Sequence, residues 1–407
     1  MLGLDDKALG STRSSNLRKK LILAIFGFLL AFLTGVSVYL VKYRVHSPAP
    51  TSFRLARIES NSNQPAFTYN RSSLGTDEDL EFIYLVNPKQ GWAGTHKGEL
   101  FKIYDHGKSW ERLELPFPGY VSSAYFSSES SGWLLLQRYD PSTDKTKYRG
   151  SILYTEDGGR SWGSQFTADS LELIEIGFAS PNELWVIGTK FRRRGEVLKA
   201  EPFLLRTTNG GSTWNDVSIG LNEGMIRCSG IAHQLPGTIQ ARGSGTLLLM
   251  SDNGWGLSTS DGGIRWQCAG RLETAELRPQ RFVRGTKEFP IVLTAVGGSH
   301  GTASMLGIKQ NDGSWLGSSL SNIFLRDALY LSDNELLACG SLVTDSSSAN
   351  STMEGVALVS HDHGMNWSIV YRSSDVTALN ALTLREDGEI WAVGANGSLV
   401  RFKRAAN

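Results

Sequence analysis

One pattern recurs along this chain and limits its fold more than any other feature: a hydroxyl residue, any residue, Asp, any residue, Gly, two residues, Trp. It reads TEDGGRSW around Asp157 and Trp162, TTNGGSTW around Asn209 and Trp214, TSDGGIRW around Asp261 and Trp266, and SHDHGMNW around Asp362 and Trp367. IYDHGKSW, with Asp105 and Trp110, lacks the leading hydroxyl, and QNDGSW, ending at Trp315, is a shortened copy. The tryptophans step by 52, 52, 52, 49 and 52 residues. Structural units of fixed length keep such a register and chance does not.

Short apolar runs accompany the pattern, bounded by Gly, Asn and Asp: GWAGT, GWLLLQ, LWVIGT and IWAVGA. TLLLMS, PIVLTA and LLACGS hold the corresponding places in the other units. These runs have the length and composition of strands. No stretch after Val41 has sustained helical periodicity, so no helix is expected there. Four strands per unit of about 50 residues is the arithmetic of a propeller blade. The six boxes define six blades, and ALNALTLRED, EIWAVGANG and SLVRFKR supply three strands of one more. The expected fold is all-β, a seven-bladed β-propeller of four-stranded blades with Asp-box turns over residues 80–407. Its missing strand is expected from Ser52–Glu59, inside an otherwise Pro-, Ser- and Asn-rich linker, 42–79. A six-bladed ring is the alternative if 376–404 pairs differently.

In each box the Asp or Asn side chain is expected to cap backbone N–H groups of the turn, and the Trp to pack on a neighbouring strand. Asp105, Asp157, Asn209, Asp261 and Asp362 are distributed around a ring, so they cannot converge on one substrate. They read as structural, against the competing reading of catalytic carboxylates or metal ligands.

Leu21–Val41 is an uncharged stretch of 21 residues. At about 1.5 Å per residue it can cross about 30 Å of hydrocarbon as a helix. Lys7, Arg13, Arg18, Lys19 and Lys20 precede it, whereas only Lys42 and Arg44 follow closely. The positive-inside bias therefore places residues 1–20 in the cytoplasm. The propeller is expected in the periplasm or another extracytoplasmic space, anchored by a single pass in the cell inner membrane. A cleaved signal peptide is the competing reading; the length of the stretch and the poor site at Ser37-Val38-Tyr39 count against it.

With 41 Lys and Arg against 40 Asp and Glu, the net charge of +1 gives no global attraction to nucleic acid, so any charged binding surface must be local. Two neighbouring insertions between second and third strands, 138–150 and 190–202, are rich in basic residues, the second contributing Arg192, Arg193 and Arg194. LRPQRFVRGTK brings Arg278, Arg281 and Arg284 to the place of the innermost strand of the fifth blade. These six arginines suit forked pairing with carboxylates and are the candidate partner-binding residues. Solvated mixed-charge hairpins and an exposed loop are the plainer alternatives. A Ser-rich insertion, 341–355, lies between the corresponding strands of the sixth blade. The histidines form no metal-ligand pattern, and neither a phosphate loop nor G-x-S-x-G stands out, so no metal or cofactor is expected. Cys228 and Cys268 either pair in an oxidising compartment or serve as small core residues, and Cys339 is left over.

EIWAVGANGSLVRF and SILYTEDGGRSW resemble the BNR propellers of the photosystem II stability and assembly factor type, and the resemblance spans roughly residues 80–404. It implies a non-enzymatic scaffold that holds a membrane-protein partner through a basic patch. The function expected is a membrane-anchored protein-binding scaffold or assembly factor whose partner carries an acidic segment. The alternative is a glycan-binding or sialidase-like glycan-hydrolysing propeller. Against it, Arg54-Leu55-Ala56-Arg57-Ile58-Glu59 lacks the proline of the sialidases' early Phe/Tyr-Arg-Ile-Pro motif.

Overall fold

The computed structural model describes residues 52–59, 67–139, 144–230, 235–272, 277–283, 291–298, 301–309, 315–344 and 352–404. The tail 1–20 and the apolar stretch 21–41 lie outside them. Among the described residues no helix is long and apolar enough to cross a membrane.

The described strands form seven sheets, numbered here in chain order of their first strands. Sheet one opens with Leu80–Asn87, sheet two with Tyr120–Phe126, sheet three with Leu171–Ser180 and sheet four with Pro236–Gly243. Sheets five, six and seven open with Leu277–Phe282, Ile323–Tyr330 and Leu379–Leu384. Each first strand pairs antiparallel with the next in sequence, as a meander. Outside sheet five, the second strands are buried along most of their length: the burial runs unbroken through Gly132–Gln137 and Ile390–Gly394. That is the outcome for a sheet covered on both faces, and it explains why these runs are continuously apolar and do not alternate.

A separate apolar cluster fills each of the seven interfaces between neighbouring sheets, including the one joining sheet seven to sheet one. Four tryptophans at these interfaces, three on second strands and Trp255 on a third, lie under a cation: Lys102 over Trp92, Arg206 over Trp185, Arg271 over Trp255 and Arg385 over Trp391. The cation–π geometry lets charged side chains cover the cores without competing with them.

The strand that completes sheet seven is Phe67–Ser73, not Ser52–Glu59. It pairs antiparallel with Ser398–Arg404, from Phe67 opposite Arg404 to Ser73 opposite Ser398. The expected closing segment is used differently. Ser52–Leu55 adds parallel to Trp315–Ser321 at the edge of sheet five, and Arg57–Glu59 adds parallel to Asn366–Ser373 at the edge of sheet six. Between them Ala56 is buried and its N–H donates to the Ser319 carbonyl at 2.9 Å. Both segments leave an edge paired, but only Phe67–Ser73 supplies the fourth strand that the C-terminal unit lacks. Deleting 67–73 is therefore expected to lower the thermal midpoint much more than deleting 52–59. The first removes a seven-residue ladder worth roughly 0.5–1.5 kcal/mol per bond. Equal melting curves for the two deletions would contradict this assignment.

The expectation of no helix after Val41 is also corrected. Helix α1, Ser218–Ser229, sits in the connection between sheets three and four and ends at Gly230 in the left-handed conformation, φ +69°. Leu221, Met225 and Cys228 turn inward, and Cys228 is disulfide-bonded to Cys268 of sheet four.

Candidate functional site

The boxes are closed hydrogen-bonded turns. In sheet two Thr155 Oγ1 donates to Asp157 Oδ1 at 2.8 Å and accepts from the Gly159 N–H at 2.8 Å. Asp157 accepts from the N–H of Ser161 at 2.9 Å and from its hydroxyl at 2.6 Å. Asn209, Asp261 and Asp362 make the equivalent bonds to Thr213, Arg265 and Asn366. Gly158 and Gly159 stand at φ +74° and +93°, a region that a Cβ resists. The copy in sheet one departs from this pattern. With Ile103 in place of the hydroxyl, Asp105 itself takes positive φ, as none of the other box acids does, and it accepts from the Ser109 hydroxyl at 3.0 Å.

The turns also bind one sheet to the next. Trp92 Nε1 of sheet one donates to the Gly158 carbonyl at 3.1 Å, and Gln165 Nε2 of sheet two to Gly210 at 3.1 Å. Ser318 of sheet five donates to Gly364 at 2.7 Å, and Arg401 of sheet seven to His106 at 2.9 Å. The box acids are thus occupied by their own turns.

The Ser161 hydroxyl and N–H, together with the other bonds of the turn, bring the Asp157 carboxyl down from its usual 3.8 to about 2. Because the folded value is depressed, its contribution to stability is present above 3.8 and is lost as pH falls towards about 2. Asn209 makes the same backbone bond without a charge. Asp157→Asn is therefore expected to lose less stability than the wild type between those two pH values, as read by thermal melting across an acid series. Parallel curves would contradict this.

Near the axis a different set of polar bonds passes from sheet to sheet. Val121 donates its N–H to the His96 carbonyl at 3.0 Å, and Ile176 to Ser123 Oγ at 3.3 Å. Glu175 Oε2 accepts from Thr238 Oγ1 at 2.8 Å and from the Ile239 N–H at 3.0 Å. Thr238 Oγ1 in turn accepts from the Phe282 N–H at 3.3 Å. Arg281 Nη1 lies 3.1 Å from Asp327 Oδ2, which also accepts from the Leu382 N–H at 2.9 Å. Asn380 Nδ2 returns the series to sheet one, donating to the Leu80 carbonyl at 3.0 Å.

These strands surround a cavity of about 610 Å³, lined by the first strands of six sheets. At the end bearing the connections between second and third strands, aromatic rings run outward from it. His96 stacks on Tyr120 with centroids 4.4 Å apart, and Tyr120 meets Tyr139 at 5.7 Å. Tyr139 meets Tyr148 at 4.4 Å, and Tyr148 meets Phe191 at 5.9 Å. Two carboxylates stand beside the inner part of the row. Glu81 lies 3.4 Å from His96 Nε2, and Glu172 lines the cavity close enough to Tyr139 to act on its phenol. Burial and then the Glu172 charge raise the Tyr139 phenol; burial and then the charges of Glu81 and Glu172 raise Tyr120. Burial pushes His96 down, but its hydrogen bond and attraction to Glu81 outweigh this and raise it.

The six candidate arginines do not form one patch. Arg192 Nε lies 3.0 Å from Glu201, and Arg193 Nη2 lies 3.0 Å from Asp144. The reason is that 190–202 is no loose insertion. Glu183–Arg194 and Val197–Thr207 continue as a hairpin in which Arg192 opposes Lys199 and Lys190 opposes Glu201, so Arg192 and Glu201 are diagonal neighbours. Arg194, at the tip, is exposed and has no ion pair among the described residues. Arg281 is held by Asp327. Of Arg278 only the backbone, in Leu277–Phe282, is described, and Arg284 lies outside the described residues. The insertions 138–150 and 341–355 are described in part, without 140–143 and 345–351. Among the described residues no group of three His, Cys, Asp or Glu side chains is placed to hold a metal ion.

Sequence reasoning missed the row His96, Tyr120, Tyr139, Tyr148 and Phe191, and the two glutamates. A usable signal was present: each lies at the start of a first strand, in the connection between second and third strands, or, for Phe191, near the end of a second strand that runs into that hairpin, the positions that a propeller brings to one face.

No family model and no curated protein sequence matches the chain. Solved structures do. YCF48 bound to a D1 peptide has a TM-score of 0.55 at 17% identity, with 86% of this chain and 97% of that one covered. The GH74 enzyme of Niastella koreensis has a TM-score of 0.56 at 14% identity, covering 82% of this chain and 53% of that one. The WD40 β-propeller domain of Doa1 has a TM-score of 0.51 at 12% identity, over 84% and 96%. At such identities the likeness establishes the fold, a β-propeller.

Proposed function

We propose that this chain is a non-enzymatic, seven-bladed Asp-box propeller, anchored in the cell inner membrane by Leu21–Val41, that holds a segment of a partner protein at the cavity mouth on its extracytoplasmic side. One observation carries the reading: a row of five aromatic rings leads from the cavity to a long hairpin on a single face. Amphipathic rings beside hydroxyl and charged groups are what protein-binding surfaces are enriched in, because they contribute contact area at low entropic cost. The Cys228–Cys268 bond supports an oxidising compartment. The peptide carried by the similar propeller YCF48 supports a peptide-sized partner. A glycan-cleaving reading has less support, since the repeated acids are engaged in their turns.

The test places a photo-crosslinking phenylalanine derivative at Tyr139, or at Ser161 on a box turn, in the full-length membrane-embedded chain. Irradiation is expected to join a discrete partner protein at position 139 and none at 161. Capture at 161 alone would overturn the proposal.

A further inference from the structure

The arginines that the sequence offered to an acidic partner are largely neutralised or committed. Arg192 faces Glu201, Arg193 faces Asp144 and Arg281 faces Asp327. The carboxylates at the cavity mouth are Glu172, beside Tyr139 and Tyr120, and Glu81, which is already 3.4 Å from His96 Nε2. The row of rings already seats one cation from this chain: Lys145 Nζ lies 5.1 Å from the centre of Phe191, the outermost ring. Toward the cavity the row continues through Tyr148, Tyr139 and Tyr120; Asp144 at the outer end is held by Arg193, and Glu172 and Glu81 stand at the inner end.

We infer that the mouth takes a basic side chain, Lys or Arg, projecting from an extended segment of the partner protein. The inference rests on the protein-binding reading above and gives that partner its chemistry. A partner ammonium or guanidinium seated inside the ring that Lys145 covers lies beside the Tyr139 and Tyr120 rings and the Glu172 carboxylate, contacts that replace part of its hydration. An acidic side chain on the same path meets Glu172 and Glu81, with Arg281 beyond them already paired to Asp327. The cavity has room for one such side chain and its ordered water, and the segment's backbone remains on the open face. Salt is expected to weaken the contact, most of all at the exposed outer part of the row.

The test uses the full-length chain in nanodiscs with 3-fluorotyrosine incorporated, and Gly-Ser decapeptides carrying one central Arg, Lys, Glu or Leu. The Arg and Lys peptides are expected to shift the Tyr120 and Tyr139 fluorine resonances saturably, whereas the Glu and Leu peptides leave them in place. Glu172→Gln and Glu81→Gln, each checked for an unchanged thermal midpoint, are expected to weaken Arg-peptide binding at least threefold, and Glu172→Asp to restore part of it. Binding of the Glu peptide as tight as that of the Arg peptide would overturn the inference, as would an unchanged affinity in both Gln variants. If crosslinking at position 139 captures a partner and the peptides bind without regard to charge, only the present inference falls. If position 139 captures nothing, the protein-binding reading falls with it.

Discussion

Truncating Trp266 or Trp367 to alanine is expected to lower the unfolding free energy by about 3–5 kcal/mol. Each is about 1% exposed, packed in an interface core, and donates its indole N–H to a carbonyl of its own box, Gly263 at 3.1 Å or Gly364 at 2.9 Å. Truncation therefore leaves a cavity and an unanswered carbonyl together. The equivalent Trp110 and Trp214 are only half-buried, and Trp162, whose N–H reaches Gly159, is also partly exposed. Alanine at Trp110 or Trp214 is expected to cost distinctly less. Denaturant midpoints for the five variants test the ordering, and a loss at Trp110 equal to that at Trp266 would contradict it.

Removing one partner from the Arg281–Asp327 pair is expected to cost somewhat less, towards the lower end of the about 3–5 kcal/mol of a fully buried pair, because the Arg281 side chain is 34% exposed. The Asp327 side chain is 0% exposed. Its carboxylate accepts from the Ala328 and Leu382 N–H groups as well as pairing with Arg281, so three sheets meet on one residue. Asp327→Ala leaves the guanidinium and two N–H groups without their acceptor, and Arg281→Glu sets two carboxylates against each other. Both variants are expected to melt well below the wild type. Reversal of Arg281 thus cannot serve as a clean test of partner binding, unlike reversal of Arg194, which is exposed at the hairpin tip. A wild-type melting curve for Arg281→Glu would show that the pair carries little of the ring's stability.

The repeat made the strand-rich fold legible because its information is local: a box fixes a turn, and the turn fixes which apolar runs flank it. The closing strand was less legible. FTYNRSS and SFRLARIE are both short segments with strand character, and nothing within either says which edge it joins; the ladder with Ser398–Arg404 exists only in the closed ring. Helix α1 was hidden by its own composition. Ile219 and Ile226 point outward, at 77% and 48% exposure, and blur the apolar face formed by Leu221, Met225 and Cys228. Gly220 and Gly224, poor helix formers, are there for close approach: a Cβ on Gly224 would come within 2.5 Å of Trp266 Cβ, and one on Gly220 within 2.3 Å of the Gly263 carbonyl. The mouth was least legible of all. Its residues come two or three from each of three sheets, widely spaced in the chain, so no motif joins them. The charge runs that stood out in the sequence became hairpin ion pairs once the strands were in register.

Hydrogen exchange on the full-length membrane-embedded chain, with and without the partner captured through position 139, tests the central claim most directly. Partner binding at the mouth predicts added protection over 96–98, 120–123, 144–148 and 190–194, with the box turns at 157–162 and 209–214 unchanged. Protection confined to the box turns, with the mouth exchanging as in the free protein, would contradict the account.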